Sequence, residues 1–152
     1  MKTTEKYGKK IDAALSLWVK LVRAYATVAK KSAESIKKFG LTVSQFGVIE
    51  TLGHLGPMNV GNICQKQLMS GGNMTLILDN LEKLGYVKRM ADATDRRALL
   101  IGLTEKGQTL FDEIFPVHAQ DMEKIISVLD DQEIEQLSVL LKKLGMSIPV
   151  EG

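Results

Sequence analysis

The chain has 152 residues, 45% of them hydrophobic and 25% charged, with one cysteine and a formal net charge of +2. That length and balance suit a single compact domain, 1–152, with a sizeable core, and a lone cysteine excludes an intramolecular disulfide framework. No apolar run approaches the ~18 residues of a membrane span, and the basic stretch MKTTEKYGKK is not followed by a signal-peptide core, so the expected compartment is cytoplasmic, with no membrane partner.

In chain order, Ile11, Leu15, Trp18, Val22, Tyr25, Ala29 and Ile36 step by three and four through a segment without proline. The spacing predicts one long helix closed by Gly40, too long to bury its stripe alone. Such a stripe is either an intrachain core or a seam between two copies. Next, Thr42 with Gln45 reads as a capping box and Leu41 with Phe46 as a hydrophobic staple, opening a helix that carries Val48, Ile49 and Leu52 inward. It ends near Gly53 to Gly56. After Pro57, Asn59 caps a short helix whose apolar residues are Ile63 and Leu68, and Ser70 with Gly71 and Gly72 forms the turn into the following helix.

That helix has Met74, Ile77, Leu78 and Leu81 on one face, which leaves Gly72, Asn73, Thr75, Leu76 and Asn80 pointing elsewhere. Gly85 stops it, and two strands, Tyr86 to Met90 and Ala98 to Leu103, flank the polar turn ADATDRR. A long helix from Thr104 to Leu129 follows, with a kink expected at Pro116 and an apolar stripe that includes Phe111, Ile114, Phe115, Met122 and Ile125. Asp130 with Glu133 caps a final helix whose buried face is Leu137, Leu140, Leu141 and Leu144. The expected fold class is therefore mainly α (α+β). It is a winged helix-turn-helix with a small β-wing at 41–104, plus long terminal helices at 1–40 and 105–152.

Charge is unevenly placed along this order: residues 1–40 carry +7, residues 41–104 carry +1 and residues 105–152 carry −6. The two ends are expected to pack together. The nearly neutral centre argues against a nonspecific binder held by counterion release, so placed residues and a dimer must supply affinity for DNA.

The segments LTVSQFGVIETL (41–52), NMTLILDNLEKLGYVKR (73–89), and DATDRR followed by LTEKG (92–97 and 103–107) resemble the MarR family of bacterial transcriptional regulators. They cover about the central half of the chain, and the DxxDRR wing with its following LTxxG is the specific part. The resemblance implies a homodimer that binds double-stranded operator DNA of palindromic form, more often as a repressor, with release by a small ligand or by oxidation. It also favours the terminal stripes as an intersubunit bundle, the dimerisation helices.

In a helix-turn-helix the second helix lies in the major groove and its N-terminal residues meet base edges. Asn73 suits a bidentate bond to adenine, Thr75 a thymine methyl or a phosphate, and Leu76 packing on thymine methyls. The alternative is that Asn73 and Thr75 only cap the helix. Lys66, Ser70, Lys88 and Arg89 are phosphate candidates. At the wing, the resemblance places Arg97 at the arginine that enters the minor groove and Asp95 at the carboxylate that orients it, with Arg96 on phosphate. Asp95 and Arg97 can instead form only an exposed ion pair that steadies the hairpin.

Trp18, Tyr25, Phe46, His54 and Phe115, with Met58 and His118, are candidates either for an effector pocket taking a small aromatic or phenolic compound or for plain core. Cys64, beside Ile63 in a short helix, reads as an inert packing residue or, alternatively, as a redox sensor. The two histidines stand far apart in sequence without Cys, Asp or Glu at ligand spacing, so no metal is expected. No GxSxG, HExxH or GxxxxGK occurs, so neither an enzyme nor a cofactor is expected. A winged-helix protein-interaction module without DNA binding is the remaining alternative.

Overall fold

The computed structural model describes residues 6–91 and 99–147. In order, the elements are α1 (Lys9–Lys37), α2 (Val43–Leu55), β1 (Met58–Asn59), α3 (Val60–Gln67), α4 (Gly71–Lys83), β2 (Val87–Ala91), β3 (Leu99–Leu103), α5 (Glu105–Ile126) and α6 (Asp131–Met146). The strands form one antiparallel sheet in the order β1-β3-β2, with Met58 opposite Ile101 and Val87 opposite Leu103. This is the mainly helical winged helix-turn-helix expected from the patterning.

The helix starts follow from local chemistry. Thr42 Oγ1 accepts the Gln45 N–H at 3.2 Å while Gln45 Oε1 accepts the Thr42 N–H at 2.9 Å, and Leu41 and Phe46 are both buried beside that box. Asn59 Oδ1 accepts the Asn62 N–H at 2.8 Å, and Asp130 and Glu133 bond reciprocally at 2.9 and 3.0 Å. Helix α4 ends in a Schellman arrangement. Gly85 takes φ 75, its N–H donates to Glu82 O at 2.9 Å, and the Tyr86 N–H donates to Leu81 O at 2.9 Å. That last bond uses the Tyr86 amide, so β2 begins at Val87 and not at Tyr86.

The core sits where α2, α3, α4, the sheet and the first half of α5 converge. Val48, Ile49, Ile63, Met74, Leu78, Leu81, Ile101 and Ile114 are essentially inaccessible there. Glycines permit the closest approaches: a Cβ on Gly53 would lie 2.6 Å from the Phe111 ring, so α2 and α5 can meet only without a side chain at that position.

Several sequence expectations change in three dimensions. Gly71 and Gly72 are the first helical residues of α4 rather than a turn, because Leu68 makes the turn: it ends α3 in the left-handed conformation, φ 50. Leu68 is accordingly 74% exposed, not part of the apolar face of α3. β1 was not expected, since two residues after a proline give no alternation to read. Helix α5 runs unbroken through Pro116 but ends at Ile126, with Ser127 as its cap, leaving Leu129 outside it.

The ends of the chain behave differently from one another. α1 packs along α5, and on α5 Lys124 Nζ stands 4.0 Å from Asp121 Oδ1. Of the α1 seam, Ala29 is half-buried and Ile36 buried, whereas Ile11, Leu15, Trp18, Val22 and Tyr25 are exposed. α6 has no buried residue, so the face formed by Leu137, Leu140, Leu141 and Leu144 is not buried within the chain as expected.

Candidate nucleic-acid interface

Helix α3 is tied to α2 by a side chain that sequence reasoning missed. Gln67 Nε2 donates to Gly47 O at 3.0 Å and to Thr51 Oγ1 at 2.7 Å, and its amide fills the space beside Gly47 where any larger residue would overlap it. A glycine opposite the last residue of the preceding helix is the trace this leaves in sequence. The apolar face of α4, Met74, Leu78 and Leu81, is buried against the core, which turns Asn73, Thr75, Leu76 and Asn80 outward.

At the start of α4 the four nominated residues are arranged differently. Ser70 occupies the cap position without making a side-chain capping bond. Asn73 is the third helical residue and exposed, and Leu76, one turn on, is 65% exposed. Thr75 Oγ1 donates to Gly71 O at 3.0 Å, a bond back to the preceding turn rather than a cap; its oxygen keeps acceptor capacity toward solvent. Lys66 is exposed in the last turn of α3. Ser70, Asn73, Leu76 and Lys66 thus open on solvent at one end of the helix pair.

On the wing side, Lys88 is exposed on β2, but Arg89 is not a free phosphate contact. Its guanidinium bridges to α4, with Nη2 2.6 Å from Asp79 Oδ1 and Nη1 on Glu82 Oε2. The bond to Asp79 leads the upward displacement of the Arg89 pKa, with the charges of Glu82 and Asp79 adding. The β2–β3 ladder is paired as far as Ala91 opposite Leu99. Asp95, Arg96 and Arg97, together with Asp92, lie outside the described residues.

The residues nominated for an effector pocket separate into two sets. The Phe46 ring meets His118 edge-on at 4.8 Å, and His54 meets Phe115 at 4.4 Å and Phe111 at 5.0 Å, also edge-on. Residues early in α2 therefore face residues late in α5, which makes this an antiparallel aromatic seam. Phe111, stacked on Phe115 at 5.4 Å, is a member the sequence reading had not nominated for the pocket. Trp18 and Tyr25 do not join an enclosed site in one chain, being 62% and 74% exposed, and Met58 is buried in β1. Cys64 is half-buried against the core beside Ile63, although Leu68 gives it no cover. Among the described residues no three His, Cys, Asp or Glu side chains gather as a metal site, and no helix is long and apolar enough to cross a membrane.

Comparison with known proteins agrees with this geometry. A model of the MarR family matches residues 41–99. The chain is 36% identical over 136 residues to the HTH-type transcriptional regulator MhqR of Bacillus subtilis (strain 168), covering 90% of this chain and 94% of that one. Among solved structures, a mutant MarR from E. coli complexed with operator DNA superposes with TM-score 0.78 at 21% identity, covering 90% of this chain and 99% of that one. NadR in complex with 4-hydroxyphenylacetate gives TM-score 0.74 at 24% identity, covering 95% and 97%. The helix-turn-helix, its wing and a close relative spanning nearly the whole chain make this protein a member of the MarR family of DNA-binding transcriptional regulators.

Proposed function

We propose that the protein is a homodimeric repressor that binds a pseudo-palindromic operator and is released from it by a small aromatic or phenolic ligand, acting in the cytoplasm. The observation that carries the reading is the outward N-terminal face of α4, with exposed Asn73, Thr75 and Leu76, on the helix that Arg89 of β2 bridges at Asp79 and Glu82. A structural neighbour holding operator DNA supports placing that face in the major groove. In this reading Asn73 and Thr75 meet base edges, Lys66 and Ser70 meet phosphates, Arg96 meets the backbone, and Arg97, oriented by Asp95, enters the minor groove.

Dimerisation is supported by apolar surface that one chain leaves in water. Leu15, Trp18, Val22 and Tyr25 of α1 and Leu137, Val139, Leu140 and Leu144 of α6 are all 40–74% exposed, two helical stripes of large apolar side chains left without cover in one chain. A second copy related by two-fold symmetry covers both stripes and sets half-sites ~34 Å apart. The aromatic seam of Phe46, His54, Phe111 and Phe115 supports ligand control, and a structural neighbour, NadR in complex with 4-hydroxyphenylacetate, supports a phenolic ligand. The ligand works by favouring a spacing of the two α4 helices that no longer matches the half-sites.

The test is selection of bound duplexes from a random pool, followed by gel shift at two salt concentrations with and without 4-hydroxyphenylacetate and related phenols. Saturable binding to a palindrome, weakened by a phenol, is the expected result. Binding indifferent to sequence overturns the reading.

A further inference from the structure

Asp79 and Glu82 lie on the stripe of α4 that begins at Thr75 and runs beside the wing, and one guanidinium, that of Arg89 on β2, takes up both carboxylates. All three side chains keep one third to one half of their surface in water, 34% for Arg89, 46% for Asp79 and 39% for Glu82. Exposed ion pairs add little to stability, so folding alone does not call for two carboxylates around one arginine here. Their position does have a consequence for DNA. Asp79 is six residues beyond Asn73, ~9 Å along the axis at 1.5 Å per residue, comparable with the ~8 Å screening length at physiological ionic strength. Uncompensated, the Asp79 charge would act across about one screening length on the phosphates of a duplex docked on the start of α4, with Glu82 nearly one turn farther along and more weakly felt. With these two carboxylates and Arg89 included, residues 41–104 carry a net charge of only +1.

We propose that Arg89 is a positioning residue that serves as an internal counter-ion, masking Asp79 and Glu82 from DNA phosphates and tying the base of the wing to α4 instead of contacting the backbone itself. The proposal rests on α4 being the DNA-facing helix. It accounts for the departure of Arg89 from its expected place among the phosphate contacts: its donors are already committed within the protein.

The probe is a duplex selected by the native protein from a random pool, with affinity measured across a salt series. Asn73→Ala is the control for the placement of α4; if it leaves affinity unchanged, that placement fails and the counter-ion role falls with it. With Asn73→Ala weakening binding, Arg89→Ala is expected to lower affinity about tenfold at low salt, with the deficit shrinking as salt rises. Adding Asp79→Asn and Glu82→Gln to Arg89→Ala should bring affinity back to within about threefold of the native protein, because no charge is left to mask. The two amide substitutions with Arg89 intact should bind at least as tightly as the native chain and steepen the salt slope by about 1, since they release a cation. Arg89→Gln is carried alongside, so that a misfolded alanine variant still leaves a variant without the charge. A deficit that is independent of salt, that the amides do not relieve, or that appears only together with a lowered unfolding temperature overturns the proposal.

Discussion

Gly107 lies directly against the carbonyl of Tyr86, so close that a Cβ at position 107 would overlap that oxygen. The same oxygen accepts the Thr104 N–H at 3.0 Å, and Thr104 Oγ1 donates to Gly85 O at 2.6 Å while accepting the Gly107 N–H at 3.0 Å. Leu103, Thr104 and Gly107 therefore lock the end of the wing, the end of α4 and the start of α5 into one joint. This gives the LTxxG stretch a structural meaning independent of DNA.

Gly107→Ala is accordingly expected to destabilise the fold by about 2 to 4 kcal/mol, since the overlapped group is backbone and cannot rotate away. Denaturant unfolding checks this; a midpoint within error of the native protein would show that the joint can open without cost.

Leu68 holds φ 50 with its side chain 74% exposed, so it carries left-handed strain without packing to offset it. Left-handed backbone costs a non-glycine residue ~1 to 2 kcal/mol, and glycine's extra freedom in the unfolded chain returns ~0.5 to 1 of that. Leu68→Gly should therefore raise stability by roughly 0.5 to 1 kcal/mol, read as a higher unfolding midpoint. Destabilisation instead would mean that the Leu68 side chain is buried in the assembled protein.

Leu15 and Leu140 stand 48% and 62% exposed on the two apolar stripes assigned to the second subunit. Leu15→Glu combined with Leu140→Glu places four charges in the proposed dimer interface and should yield monomers at micromolar concentration by light scattering, with operator affinity lost in parallel. Retention of the native mass would move the interface elsewhere.

Arg97→Ala is expected to weaken operator binding by on the order of 1 to 3 kcal/mol while leaving fold and oligomeric state intact, and Asp95→Ala should act in the same direction more mildly. Equilibrium titration of labelled operator measures both. Parent-like affinity in the two variants would assign the wing tip a structural role only.

Much of this protein is written locally and was legible for that reason. The boxes at Thr42–Gln45 and Asp130–Glu133, the cap at Asn59 and the stop at Gly85 are made by residues three or four apart, so spacing alone predicts them, and each forms in the structure. The apolar periodicity of α4 likewise fixed which residues turn outward, and the wing motif carried the family. What depended on contacts distant in sequence could not be read. Arg89 looked like a phosphate ligand until the hairpin brought it ten residues back onto Asp79. Leu68 looked like core until the left-handed turn ended α3, and the α2–α5 aromatic seam paired Phe46 with His118, far apart in sequence, while leaving Trp18 outside. Local hydrogen bonds and side-chain period are properties of a short segment; the partner of a charge or a ring is decided only when packing brings remote segments within a few ångströms.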